Sequence, residues 1–422
     1  MRLNDLAHAA PAALSDRERH LGFALLFLAL ISDGFDLQTM GFLAPGIAKD
    51  WGVTRVQLAP ALSAGLVGVA LGAPLLGWLG DRFGRKRAIL IGSVGYGFLS
   101  LSCAFAQDIT QLTLLRFVTG IGLGGVLPNV IALTTDVAKA RLRRFLTALV
   151  SVGISLGGVL VGLVAAAFLP HYGWRSLLIV GGLVPLAISA ALALGLREPP
   201  VLASHDDVPA DDRGASPAGI FSGDFLLLTP VIWLLFIGLL MSIYLLTSWL
   251  PLVLENEGLS PESAAIMNTM LHLGGVVGGV AASLLISRIG LPLITILIGG
   301  AWLLALLLAV APVSDVGLAA MLGLCGICLI GGQTAINAAS GLIYPPALRA
   351  RGVGFALGVG RIGSISGPIA GAVAMTLGSR GLFIGPLIPL GLSFVAAAIL
   401  ARRGSIDGPD TEPALGFATT SH

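Results

Sequence analysis

The chain has 422 residues, 56% of them hydrophobic and only 11% charged, with a net charge of +2 and a mean hydropathy of +0.95. Soluble domains carry about 25% charged residues, so this composition excludes a soluble globular protein and predicts an all-α integral membrane protein in a lipid bilayer. Three cysteines, Cys103, Cys325 and Cys328, all lie in apolar segments and give no disulfide framework. Cys325-x-x-Cys328 lacks a second ligand pair for zinc, so both read as packing residues.

Residues 1–20 are mixed in charge and lack the apolar core and cleavage site of a signal peptide. They read as a tail before a retained first span. A membrane helix needs about 20 apolar residues, and charge and turn clusters mark out twelve such spans. They begin near Leu21, Gln57, Ala88, Thr110, Phe145, Trp174, Phe225, Glu262, Leu291, Val316, Gly352 and Leu382, the last ending near Ala401. Arg85, Lys86, Arg87, Lys139, Arg141, Arg143, Arg144, Arg349 and Arg351 fall on the side of both termini, against Lys49, Arg55, Arg175 and Arg380 opposite. That bias predicts cytoplasmic termini and a multi-pass protein of a bacterial-type cytoplasmic (inner) membrane.

Between Glu198 and Ser222 Pro, Gly, Ser and Asp dominate, which reads as a flexible cytoplasmic linker. His205 and its neighbouring aspartates read as solvated rather than metal-binding. The expected organisation is a tail at 1–20, a six-helix bundle at 21–197, the linker at 198–222, a second bundle at 223–403 and a tail at 404–422. The bundles read as repeats. A shift of 206 places Gly68 on Gly274, Gly72 on Gly278, Arg82 on Arg288 and Gly84 on Gly290, and a shift of 208 places Arg141 and Arg143 on Arg349 and Arg351. Two pseudo-symmetric six-helix bundles suit a transporter whose halves rock about a midplane site.

Span 1 carries Asp33-Gly34-Phe35-Asp36 inside an apolar run. A charge at the bilayer centre costs at least about 2.5–3.5 kcal/mol, so such residues default to function. Counted from Leu21, Asp33 and Asp36 lie about 18 and 23 Å along a helix, near mid-membrane and, at i, i+3, on one face. Two carboxylates so placed cannot both stay ionised cheaply, which suits a proton-coupling pair. The alternative is a permanent ion pair with an arginine such as Arg116. Arg361 lies about 14 Å into span 11. Its guanidinium fork suits a carboxylate substrate, or else a fixed interhelical pair. Arg116, toward the outer end of span 4, either pairs with Asp33 or Asp36 or serves as a vestibule cation.

His272 in span 8 either relays protons, binds substrate or is simply packed. Gln333 and Asn337 share a face of span 10; they, Asn129 and Asn268 are candidate ligands or helix–helix glue. Tyr244 and Trp249 of span 7, and Phe35, are candidate aromatic contacts, with Trp249 alternatively an interfacial anchor. Gly120-x-Gly122-x-x-Gly125 formally matches a dinucleotide fingerprint, but it sits inside one apolar span and reads as close helix packing. No nucleophile–base pair or metal cluster emerges within the spans, so neither an enzyme nor a cofactor is expected, and no nucleic-acid partner.

The loop after span 2 reads Gly77-x-x-x-Asp81-Arg82-x-Gly84-Arg85-Lys86-Arg87. Gly84 permits a tight turn, and Asp81 is placed to latch the bundles. This loop resembles the signature of the major facilitator superfamily. Ser287 and Leu291 replace Asp81 and Arg85 in its second-half copy. Further stretches resemble the aromatic acid:proton symporter family within it: Asp33-Gly34-Phe35-Asp36, Arg116-Phe117-x-x-Gly120 through Pro128-Asn129, Tyr344-Pro345-x-x-x-Arg349-x-x-Gly352, and Gly360-Arg361-x-Gly363-x-x-x-Gly367-Pro368. Asp136 stands where that family usually has Glu, and "REPP" at residue 197 onward only partly matches its span 6 end. The resemblance implies proton-coupled uptake of a small aromatic carboxylate, such as a hydroxybenzoate-type acid, by a protein functional as a monomer. Gly77, Asp81, Arg82, Gly84, Arg85 and Asp136 read from the residues as gating, with a topology signal alone as the alternative for the loop. Other readings are transport of a non-aromatic organic acid, export, or sensing. Export would suit a proline in the glycine-rich span 5, "SVGISLGGVLVGLVAA", which has none.

Overall fold

A computed structural model describes residues 16–137, 143–196, 220–221, 225–344 and 346–403. In chain order the helices are α1 (Asp16–Trp51), α2 (Arg55–Phe83), α3 (Arg85–Cys103), α4 (Ile109–Gly124), α5 (Val126–Val137), α6 (Arg143–Tyr172) and α7 (Arg175–Gly195). There follow α8 (Phe225–Asn256), α9 (Pro261–Ile289), α10 (Pro292–Val310), α11 (Asp315–Ile343), α12 (Pro346–Ala374), α13 (Gly381–Ile384) and α14 (Leu387–Arg403). The pairs α4/α5 and α13/α14 each make one traverse, so the described residues make twelve traverses. Among the described residues eleven traverses are long and apolar enough to span a membrane on composition alone. The twelfth, α3, opens on Arg85, Lys86 and Arg87. Lipid offers no partners to backbone N–H and C=O groups, so apolar runs of this length close their bonds within helices.

The predicted starts agree to within three residues except at α1, which begins at Asp16 rather than Leu21, and at α12. That helix begins at Pro346 rather than Gly352 and runs back over Arg349 and Arg351. Charges mark where lipid ends, not where a helix ends; Pro at the first helical position costs no hydrogen bond. Residues 1–15 of the first tail, 198–219 and 222 of the linker, all of the last tail, Lys139 and Arg141 lie outside the described residues.

The repeat extends well beyond its sequence signature. Gly84 closes α2 with φ 102° and its N–H bonded to the Gly80 carbonyl; Gly290 closes α9 with φ 73° and its N–H bonded to the Ile286 carbonyl. The N-caps correspond as well. Thr54 accepts from the Gln57 N–H and Ser260 from the Ser263 N–H, while Asp108 accepts from the Gln111 N–H and Ser314 from the Gly317 N–H. All of these pairs stand 206 residues apart. So do the tightest helix crossings: Gly68 lies against the Phe117 carbonyl as Gly274 lies against the Gly323 carbonyl, and Gly157 against the Ile31 carbonyl as Gly363 against that of Ile237. Within the membrane, spans 5 and 11 therefore also align at 206; the 208 offset holds only at their approach.

Within a bilayer helices gain no hydrophobic drive from one another, so small residues that allow close backbone approach carry the packing. Trp249, fully buried, donates from Nε1 to the Pro368 carbonyl at 2.8 Å and ties α8 to α12. It is internal glue and not an interfacial anchor. Asn129 has the same role, donating to Leu76 O at 3.0 Å and Gly125 O at 2.7 Å.

The two bundles meet in the half of the molecule away from the face where α1 starts and α14 ends. Arg55 on α2 donates to the Met375 carbonyl at 3.1 Å, and Ser63 to the Ile365 carbonyl of α12 at 2.8 Å. Gly41 on α1 lies against the Thr247 carbonyl of α8, and Gly158 and Gly162 of α6 against His272 and Thr269 of α9. Toward the face of the termini, a Cβ added at Gly77 on α2, or at Gly354 or Gly358 on α12, would meet nothing within 4 Å.

Candidate substrate and proton site

The long α1 carries both aspartates to mid-molecule, where both are buried, Asp33 2% and Asp36 0% exposed. They do not share one environment. Three residues of an α-helix turn through about 300°, leaving the two side chains about 60° apart, and neighbouring helices divide them. Asp36 turns into its own bundle. Its Oδ2 accepts from Arg116 Nη1 at 2.9 Å, its Oδ1 from the Ser100 hydroxyl at 2.8 Å, and its backbone carbonyl from Arg116 Nη2 at 3.2 Å. Arg116 is itself buried, held between α1, α2 and α4. The pairing considered for it from sequence is present, with Asp36.

Asp33 has no comparable grip. Its Oδ1 is buried without a hydrogen-bond partner. The charged and titratable groups acting on it are Asp36, Arg361 of α12, and the hydroxyls of Tyr96 on α3 and Tyr244 on α8. Arg361 and Tyr244 are half-buried and lie beside each other. Arg361 is the cation of the second bundle whose charge reaches Asp33.

Other candidates sit elsewhere. The Phe35 ring lies against Gly181 of α7, inside the first bundle. His272 is buried with Nε2 unpartnered, its ring against Gly158 where α6 crosses α9. On α11, Gln333 is half-buried and Asn337 exposed. Asn268 reaches the Thr247 carbonyl at 3.5 Å. In the loop after α2, Asp81 and Arg82 are exposed, and Arg82 lies over the rings of Trp78 and Phe83 at 5.5 and 5.6 Å. Gly84 makes the expected turn, followed at once by Arg85. Asp136 lies on α5, its side chain outside the described set.

Sequence reading missed Ser100, Tyr96 and Ser32. Tyr96 and Ser32 share a hydrogen bond at 3.0 Å beside Asp33. The signal was a spacing: Ser93, Tyr96, Ser100 and Cys103 recur at i, i+3, i+7, i+10 on α3, and all four are buried.

The family model of the Major Facilitator Superfamily matches residues 26–368. The chain is 36% identical over 409 residues to a gallate transporter of Pseudomonas putida, covering 90% of each chain. It is 35% identical over 387 residues to a 4-hydroxybenzoate transporter of the same organism, covering 84% of this chain and 86% of the relative. Among solved structures, a D-xylose-proton symporter superposes with a TM-score of 0.75 at 16% identity, over 92% of this chain and 98% of that one. Twelve traverses in two repeated bundles, matched from the first span into the eleventh, make the chain a member of the Major Facilitator Superfamily.

Proposed function

We propose that the chain imports a small aromatic carboxylate together with protons, across a bacterial-type cytoplasmic membrane with both termini inside. The observation that carries this reading is the half-buried Arg361 guanidinium of the second bundle, whose charge reaches the buried Asp33 carboxylate, of which Oδ1 has no hydrogen-bond partner. A cation with spare donors there suits an organic anion, and a free buried carboxylate suits a proton. The aromatic class is supported by relatives named for gallate and 4-hydroxybenzoate. The basic residues beside α2, α3 and α12 support cytoplasmic termini.

In this reading Arg361 binds the carboxylate and Tyr244 stands beside it as a hydroxyl and ring contact. Gln333 and Asn337 supply polar lining, and His272 belongs to the seam that closes above the substrate. Asp33 and Asp36 form the proton-coupling pair. The loop of Gly77, Asp81, Arg82, Gly84 and Arg85, with Asp136, latches the cytoplasmic face when the bundles rock, and one chain suffices for the cycle. Purified protein in liposomes tests the reading. An inward proton gradient should drive accumulation of labelled 4-hydroxybenzoate or gallate, abolished in Asp36→Asn. Absence of gradient-driven uptake of any benzoate-type acid would rule it out.

A further inference from the structure

Resting on that symport reading, we propose that Asp33 alone takes the proton, that Asp33 and the substrate carboxylate compete for the Arg361 guanidinium, and that Asp36 stays ionised throughout as a fixed anchor. The two aspartates differ in what holds them. Both oxygens of Asp36 are engaged, by Arg116 and Ser100, and a second Arg116 nitrogen grips its backbone. These groups belong to α1, α3 and α4 of one bundle, so rocking one bundle against the other leaves them in place. A proton on Asp36 would strand a buried guanidinium without its counter-charge, which is costly.

Asp33 is held differently. From its own helix Asp36 faces it, from α3 Tyr96, from α8 Tyr244 and from α12 Arg361. The cation of that set lies on the opposite bundle, so its distance changes as the bundles rock. A substrate carboxylate that takes the guanidinium fork in bidentate fashion removes the counter-charge of Asp33. An unpaired buried carboxylate is then stabilised by binding a proton. One proton moves from water on the entry side to an Asp33 oxygen for each monocarboxylate bound. It leaves on the other side when the anion departs and Arg361 turns back. No net charge crosses, so the pH difference drives transport and the membrane potential does not.

The test is proton counting. Purified full-length protein, in weakly buffered detergent solution with a pH-indicating dye, is titrated with 4-hydroxybenzoate. Wild type should take up about one proton per bound anion; Asp33→Asn should bind the anion and take up none. Uptake of a proton by Asp33→Asn overturns the assignment, whereas wild type binding the acid with no proton uptake would sink the symport reading instead. Should Asp33→Asn not fold, infrared difference spectra decide. The protonated-carboxyl band that appears in wild type on anion binding should be unmoved in Ser100→Ala, because Ser100 bonds Asp36 and not Asp33. A band that shifts in Ser100→Ala puts the proton on Asp36 and overturns the proposal.

Discussion

A guanidinium that must hold a substrate and then release it should keep donors free, and Arg361 fits that where Arg116 does not. Arg116 spends two nitrogens on Asp36, while Arg361 stands half-buried at the seam. Replacing Arg361 with Lys keeps the charge and loses the planar fork. A lost charge-assisted hydrogen bond is worth about 1.5–3 kcal/mol, so substrate affinity should fall roughly 10- to 100-fold. Equilibrium binding of labelled 4-hydroxybenzoate measures it, and unchanged affinity would make Arg361 structural. At this scale the sequence reading found the charged residues but not their division. Four charged residues in apolar spans, Asp33, Asp36, Arg116 and Arg361, were visible, because each is costly there. That Asp36 faces Arg116 and Asp33 faces Arg361 depends on a rotation of about 60° between i and i+3 and on which helices flank α1. Ser100 was invisible because a serine in a span is common; only its bond to Asp36 distinguishes it.

The helix that positions both aspartates is fixed by its crossing with α6. Gly34 lies against the Ile154 carbonyl and Gly157 against the Ile31 carbonyl, so each helix presents bare backbone to the other. The neighbour that Gly34 admits to the α1 backbone is α6. A methyl group at 157 would meet backbone, which cannot rotate away as a side chain can. Gly157→Ala should therefore force α1 and α6 apart at a cost of about 1–3 kcal/mol, typical of overpacking. Thermal unfolding in detergent should show a lower midpoint, and gradient-driven uptake should fall with it because Asp33 moves relative to Arg361. Gly354→Ala serves as the comparison: no atom lies within 4 Å of its added Cβ, and its midpoint should not change. Span count and span type were legible because lipid demands long apolar helices. Helix ends were less so, as α12 shows by continuing past its arginines to Pro346. Trp249 was misplaced because an aromatic near a span end reads alike whether it faces lipid headgroups or, as here, the Pro368 carbonyl.

The 206-residue repeat places Ser63 on Thr269, and both sit in the seam that closes the molecule away from its termini. They close it differently. The Ser63 hydroxyl crosses between bundles to the Ile365 carbonyl at 2.8 Å. The Thr269 hydroxyl donates to Ala265 of its own helix at 2.7 Å and presses against Gly162 of α6. One half of the seam is thus bonded and the other packed, although the backbone frame around them is repeated. The sequence repeat exposed this frame only in part, because glycines and caps persist where geometry demands them while the side chains between have diverged. Ser63→Ala removes a bond made in the closed arrangement and replaced by water when the seam opens. A net hydrogen bond contributes about 0.5–1.5 kcal/mol, so the open population should rise roughly 2- to 10-fold. Thr269→Val keeps the shape and loses a hydroxyl already satisfied within its helix, so it should shift the balance far less. Spin labels at Val56 and Leu377, 73% and 67% exposed at the ends of α2 and of the turn after α12, report the separation directly. A longer-distance population that grows in Ser63→Ala and not in Thr269→Val is the expected result. Equal growth in both would mean that packing alone, and not the Ser63 bond, holds the seam shut.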